Sequence, residues 1–281
     1  MKQTKRTALI VWLVLLAVLL VAALLVPPAG GERESIRETM RDAVLHETNK
    51  ISLFGLLAVN PAVISAMVVS GVLLLFAALV RIFAIPRFKT VPGRFQLLLE
   101  SAVGYFAKLA ESNSPHRNRF LGGYVFAAGA YIFIGTLFEL FGVQVLTTTG
   151  LSMALPAPLS DINAAIALGC LSYLVILSGG VAGNGLRGVG STLKDFSLPI
   201  SMSFRLFGAL LSGLLVTELV YSYIHLSFVL PVAVGVMFTL LHALIQAYVL
   251  TMLTALFYGE VSEPHPKKQK NKAKQEKQAA A

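Results

Sequence analysis

Residues 201–216 read SMSFRLFGALLSGLLV, and this stretch decides the fold class of the chain. Arg205 is the only charged residue between positions 197 and 217. An apolar run of about 20 residues is long enough to cross a bilayer as a helix. An arginine cannot lose its charge in a protein. The stretch therefore predicts a membrane helix that carries a permanent positive charge.

The composition extends this prediction to the whole chain. The 281 residues are 56% hydrophobic and only 13% charged, whereas a soluble domain carries about 25% charged residues. The apolar segments lack the alternation of an outer-membrane barrel, so lipid-exposed backbone groups must be satisfied within helices. We predict an all-α polytopic membrane protein with about six transmembrane helices, or five if the first is a cleaved signal peptide. The predicted spans are about 7–27, 61–85, 120–145, 161–182, 197–223 and 227–258.

Two further helical features follow from periodicity and length. Residues 91–111 (VPGRFQLLLESAVGYFAKLAE) repeat apolar side chains near helical spacing, which predicts one amphipathic helix in the membrane interface. The last segment, at about 32 residues, would extend about 48 Å, against a hydrocarbon core of about 30 Å. The last two helices are therefore predicted to form a long, strongly tilted hairpin with its tip near 225–231.

The distribution of charge predicts three regions. Residues 1–60 hold an N-terminal helix and an external polar segment. Residues 61–260 form the membrane domain, within which 183–196 is expected to be a loop. Residues 261–281 form a basic, disordered cytoplasmic tail with six lysines, read as solvated rather than as a nucleic-acid site. The positive-inside rule places both termini in the cytoplasm. The single cysteine, Cys170, excludes an intramolecular disulfide and a cysteine-based metal site, and no cofactor or metal is predicted.

Polar side chains inside the apolar segments are the candidate site residues, because an intramembrane ionisable group is costly and marks function by default. For several of them a structural role stays open: a helix cap, a solvated position at the outer interface, a packing histidine or an interhelical hydrogen bond. Small residues surround Arg205 and would let a partner helix that carries an anion approach closely. The candidates are Arg205, Glu139, Asp161, Asn163, Glu218, His242 and Gln246.

Four motifs resemble subunit a of the F-type ATP synthases. They are SMSFRLFGALLSG at 201–213, HALIQAYVLTMLTALFYGE at 242–260, DINAAIALG at 161–169 and VPGRFQLLLESAVGYF at 91–106. The resemblance covers most of residues 60–260. It implies a non-catalytic subunit that couples H⁺ or Na⁺ flow to rotation of a c-subunit ring and to ATP synthesis. The implied partners are that ring, subunit b of the peripheral stalk, the rest of the complex and membrane lipid, in a bacterial plasma (inner) membrane.

The resemblance also implies roles for the candidate residues. Arg205 aligns with the essential arginine, which faces the ring and separates two ion half-channels. Gln246 aligns with the partner glutamine of the last helix. Water-filled clefts would then feed ions to Arg205 from the outer side and drain them on the inner side. The outer cleft would be lined by Glu139, Asp161, Asn163, Glu218 and His242, and the inner cleft would lie near Ser201 and Ser203.

Three positions depart from the family pattern. Ala209, Leu214 and Thr239 stand where relatives often carry polar residues. Glu218 and His242 lie four and three residues beyond the last two of these positions. Those steps are about one helical turn, which keeps a side chain on nearly the same face. Our hypothesis is that Glu218 and His242 supply the outer half-channel from one turn away.

Two other classes of function make different demands on the sequence. A secondary transporter or channel with its own Arg/Glu/His site would favour internal repeats or broken helices, and neither is clear in the sequence. A membrane-embedded hydrolase would need a catalytic motif, and the chain has neither HExxH nor GxSxG at a nucleophile position. The choice between H⁺ and Na⁺ stays open.

Overall fold

The fold is that of a computed structural model of the chain. It describes residues 51–53, 57–116, 119–146, 152–222 and 230–263, together with Val14, Ala17, Val18 and Val21. The predictions for most of 7–27, for most of 28–60, for most of the hairpin tip at 225–231 and for the tail beyond 263 lie outside these residues.

The described chain is mainly helical, as predicted. Two short antiparallel ribbons accompany the helices: β1 with β2, and β3 with β4. In chain order the elements are β1 Ile51–Leu53, β2 Leu57–Val59, α1 Pro61–Leu79, α2 Arg94–Asn113, α3 Arg119–Phe138, β3 Gln144–Leu146, β4 Ser152–Ala154, α4 Ile162–Asn184, α5 Leu186–Lys194, α6 Ser197–Ser222 and α7 Leu230–Ser262.

Four of these helical segments are long and apolar enough to cross a membrane: Pro61–Arg87, Arg119–Phe141, Ile162–Asn184 and Val232–Ser262. A fifth candidate combines α5 with α6, which meet at a bend of 49°. The helix predicted from 91–111 is α2, and its position in the interface stays a prediction. With 33 residues, α7 is longer than an upright span requires, and its tilt stays a prediction too.

Two boundaries differ from the sequence prediction. The span predicted to reach residue 145 ends at Phe141, because Gly142 adopts a left-handed conformation (φ 57°) that terminates the helix. The predicted loop at 183–196 contains the helix α5 instead. Gly188 of α5 lies so close to Gly180 of α4 that a Cβ on Gly188 would overlap the Gly180 carbonyl oxygen. This glycine contact lets α5 fold back onto α4.

The chain divides into two compact units, each assembled from separate segments. The first unit comprises Met1–Gly71, Phe133–Ala164 and Leu206–Gln246. Its buried residues include Val69 and Thr136. Pro158 packs against α3 beside Gly135, where a Cβ would make an ordinary contact with the proline ring at 3.5 Å.

The second unit comprises Val72–Ile132, Ala165–Arg205 and Ala247–Ala281. Hydroxyl groups link its helices: the Tyr124 and Ser172 oxygens are 2.8 Å apart, and the Tyr173 hydroxyl donates to the Thr192 carbonyl at 3.0 Å. Apolar side chains such as Leu121 and Ile176 are fully buried beside these bonds. Such a mixture of tight contacts and interhelical hydrogen bonds is how helices associate in a bilayer.

Candidate functional site

Helix α6 separates its buried and exposed residues cleanly around Arg205. Met202, Leu206 and Leu210 recur at a spacing of four residues and are buried. Arg205 is exposed, and Phe204 beside it is 63% exposed. Among the residues that the structure describes, none forms a hydrogen bond or an ion pair with the Arg205 guanidinium. The cation is therefore carried on the open side of an otherwise apolar helix.

Small residues lie on the same face of α6 as Arg205. Ser201, Gly208 and Ser212 stand four residues before, three after and seven after Arg205, which places all of them on one face. All three are exposed. A Cβ built on Gly208 meets no atom within 4 Å. The small-residue surface expected beside the arginine is thus open, and a partner helix could approach it closely.

Ser203 lies on the opposite face of α6. It is 5% exposed, and its hydroxyl donates to the Pro199 carbonyl at 2.6 Å. Ser201 and Ser203 are predicted from the sequence to lie near one inner cleft. In the structure the two side chains lie on different faces of the helix. Of the two, only Ser201 is exposed, because helical geometry turns residues two apart to opposite sides.

Helix α7 buries Gln246. Ala243, Ala247 and Leu250 share this buried face, and Gln246 itself is 7% exposed. Its Oε1 atom is buried and accepts no hydrogen bond from any residue in the described ranges. A buried polar atom without a partner costs about 1–3 kcal/mol, so the described contacts leave this side chain with an unmet hydrogen bond.

His242 stands one turn before Gln246 and packs against α6. A Cβ built on Gly213 would lie 3.3 Å from the His242 Nδ1 atom, so the glycine makes room for the imidazole. The Phe238 ring lies 5.8 Å from the imidazole, centre to centre. His242 is half-buried. Glu218 lies in α6, but its side chain is outside the described part of the structure.

Asp161 caps α4 and is joined to the cap of α1. Its Oδ1 atom accepts the backbone N–H of Asn163 at 2.7 Å, the bond expected of an N-cap residue. Its Oδ2 atom accepts from the Asn60 side-chain amide at 2.5 Å. The Asn60 Oδ1 atom in turn accepts the N–H of Ala62 at 3.0 Å. The Asn60–Asp161 hydrogen bond therefore joins the starts of α1 and α4, which are 101 residues apart in the sequence.

The structure confirms the capping role considered for Asp161 and identifies Asn60 as its partner. Asp161 is a helix cap, whatever else it does, and it is only 7% exposed. Asn163 contributes its backbone to the cap and is itself exposed. Asn60 is missed by the sequence prediction. The Asn60-Pro61 pair is a recognisable helix start, but nothing in the sequence pairs it with Asp161.

Glu139 lies at the end of α3, in a 3₁₀ turn from Glu139 to Phe141. It is half-buried, one turn after the buried Thr136. No hydrogen bond or ion pair among the described residues joins Glu139, Asp161 and His242 to one another. The same residues contain no cluster of three or more His, Cys, Asp or Glu side chains that could hold a metal ion.

Comparison with known families gives a match to the ATP synthase A chain over residues 63–259, more than two thirds of the chain. The chain belongs to the ATP synthase A chain family. It is an integral membrane component of the Fo sector, which holds the c-ring, and it takes part in ion transport and ATP synthesis. The subunit-a resemblance is confirmed, and membership favours this role over a self-contained transporter. Every candidate residue named from the sequence falls within the match, whereas Asn60 lies just before it.

Removing the Asp161 carboxylate should destabilise the chain. Asp161→Ala loses an N-cap bond and leaves the Asn60 amide unpaired, so we expect a loss of about 2 kcal/mol. Asn163→Ala is the control, because only its backbone takes part, and it should cost less than about 0.5 kcal/mol. Denaturant unfolding of the full chain in detergent measures both. Equal losses in the two variants would contradict the cap-to-cap pair.

Proposed function

We propose that the chain forms two ion half-channels against a ring of c subunits, with Arg205 separating them. One observation carries the proposal: Arg205 is exposed on a face of small residues in an otherwise apolar helix. Family membership supplies the ring as the partner. A ring helix that carries a carboxylate fits both the cation and the small residues around it.

The chemistry follows from the cost of burying charge. A carboxylate of the ring must be neutral while it faces lipid, because a bare charge in an apolar medium is very expensive. Opposite Arg205 the same carboxylate can ionise, because a nearby cation favours its charged form. Release of the bound ion is therefore tied to the position of the ring.

The same fixed charge prevents a leak. A monovalent cation that tried to pass directly between the half-channels would have to cross the field of the guanidinium, so it leaves by riding the ring. Each monovalent charge that crosses 100 mV yields about 2.3 kcal/mol. Several must therefore pass for each ATP, and the coupling has to be tight.

The outer half-channel is assigned to polar residues of the first unit. Glu139, Asp161, Asn163, Glu218 and His242 all belong to that unit. The space that Gly213 leaves for His242 supports a role for this side chain beyond filling a gap. On the inner side the assignment rests on Ser201, which is exposed one turn before Arg205, with Ser203 buried behind it. Gln246, buried with an unpaired oxygen, is assigned to the ion path between the two.

The setting of the subunit is also proposed. The basic stretches flanking the spans favour cytoplasmic N- and C-termini, and the motif resemblance favours a bacterial plasma membrane. Subunit b of the peripheral stalk would hold the chain still while the ring turns. The subunit itself would carry out no bond-making chemistry.

Replacing the cation should uncouple the complex. In vesicles that contain the whole synthase, Arg205→Ala should reduce ATP synthesis under an imposed gradient to background, because nothing then ionises the ring carboxylate or blocks the leak. Arg119→Ala, at an exposed arginine on α3, is the matched control. Separate H⁺ and Na⁺ gradients identify the ion. Normal synthesis by the Arg205→Ala complex would refute the proposal.

Filling the small-residue face should block the ring. Gly208→Leu has room in the isolated chain, but overpacking at a close helix contact costs about 1–3 kcal/mol. Association with the ring should therefore weaken roughly 10- to 100-fold, as measured by recovery of the ring with the tagged subunit. Gly123→Leu, at an exposed position of α3 with no atom near its Cβ, is the control. Undiminished recovery would mean that the ring lies elsewhere.

The outer half-channel has its own test. A Glu218→Gln, His242→Ala double variant should slow ATP-driven ion pumping by the intact complex, because it removes two polar groups from the outer path. Glu111→Gln, on the exposed side of α2, serves as the control. Unimpaired pumping and ATP synthesis by the double variant would show that the outer path runs without these two residues.

A further inference from the structure

A groove opens where the first membrane span gives way to α2, within the second unit. Helix α1 is followed by a π-helical turn, Val80–Ala84, and a 3₁₀ turn, Ile85–Arg87, before the chain reaches the start of α2 at Arg94. These segments line an open groove with a volume of about 760 Å³. None of these residues belongs to the proposed half-channels.

Positive charge converges on this groove. Arg87, Lys89 and Arg94 line it, and all three are exposed. None of its eleven lining residues is acidic. The groove is also lined by Gly93 and Arg94 at the N-terminal end of α2, where the helix dipole favours an anion. Scattered basic residues would satisfy the positive-inside rule, but here three cations share one concave surface.

Apolar side chains complete the groove. Phe83, Phe88 and Phe95 line it beside the three cations. Phe83 is 54% exposed and the neighbouring Ile82 is 62% exposed. The groove thus offers a cationic surface to a headgroup and an apolar surface to chains attached to it. A soluble anion would use only the first of these.

The Gln96 side chain holds the loop in shape. Its Oε1 atom accepts the backbone N–H of Lys89 at 3.1 Å, and its Nε2 atom donates to the Lys89 carbonyl at 2.9 Å. The same amide nitrogen donates to Glu100 at 2.7 Å. This pairing ties Lys89 to the first turn of α2 and keeps Arg87, Lys89 and Arg94 on one cavity. A site whose loop is already ordered loses less entropy on binding.

We propose that this groove is a binding site for an anionic phospholipid, with the headgroup phosphate held by Arg87, Lys89 and Arg94 and the acyl chains lying along the phenylalanines. Basic pockets beside membrane helices are suited to such headgroups. The groove begins where the apolar segment Pro61–Arg87 ends, and the end of a membrane span is where headgroup phosphates are expected. Charge complementarity and the apolar wall together select a lipid over inorganic phosphate.

Photo-crosslinking tests the proposal on the intact complex. The synthase is placed in phosphatidylcholine nanodiscs that contain a small fraction of photoactivatable phosphatidylglycerol or of the matched phosphatidylcholine probe. We expect the anionic probe to label peptide 83–96 strongly and the zwitterionic probe to label it weakly. A triple Arg87→Gln, Lys89→Gln, Arg94→Gln variant should weaken labelling by the anionic probe roughly a hundredfold, or about fivefold for each charge.

Two single variants serve as controls for charge and for loop order. Lys108→Gln, at an exposed lysine of α2 outside the groove, should label as the parent does. Gln96→Ala keeps every charge but frees the loop, and it should label more weakly than the parent. Equal labelling by both probes, unchanged labelling in the triple variant, or displacement of the anionic probe by inorganic phosphate would each overturn the proposal.

Discussion

A guanidinium that cannot be neutralised constrains the rest of this subunit. A helix in lipid can satisfy its own backbone, but it cannot satisfy a permanent charge. Arg205 therefore has to lie where a partner or water can reach it, and α6 is built accordingly. Its buried face is made of Met202, Leu206 and Leu210, and its open face carries the cation among serine and glycine. The open side also carries large apolar residues, Ile200 and Phe204, as expected of a helix that faces lipid or a partner helix beside the cation.

Unlike Arg205, several other polar side chains form hydrogen bonds within the described part of the chain. The Tyr124 and Ser172 hydroxyls bond to each other, and Ser203 bonds to its own helix. Asn60 and Asp161 satisfy two helix starts and one another. Such pairs hold helices together where lipid offers no hydrophobic driving force between them. They also show that a polar residue in an apolar segment is not by itself evidence of an ion path.

The spans could be predicted from the sequence, whereas most of the contacts could not. Apolar length places α1, α3, α4, α6 and α7 within a few residues, because a bilayer demands length. The sequence prediction misses α5, which is short, glycine-rich and held by a contact with α4 that no local pattern encodes. Arg205 stands out from its setting alone. The Asn60–Asp161 pair does not, because it joins residues 101 positions apart.

Asp161 and Gln246 differ in whether their side chains find hydrogen-bond partners within the described chain. Asp161 has two partners within the chain, so its carboxylate has a structural role in addition to the one proposed for it in the outer half-channel. Gln246 differs, because its Oε1 atom is buried and unpaired among the described residues. A cost of about 1–3 kcal/mol for such an atom is a sizeable part of the stability of a domain. The two residues therefore differ in what the described chain provides: Asp161 is fully occupied as a cap, whereas the Gln246 oxygen has capacity for one more hydrogen bond.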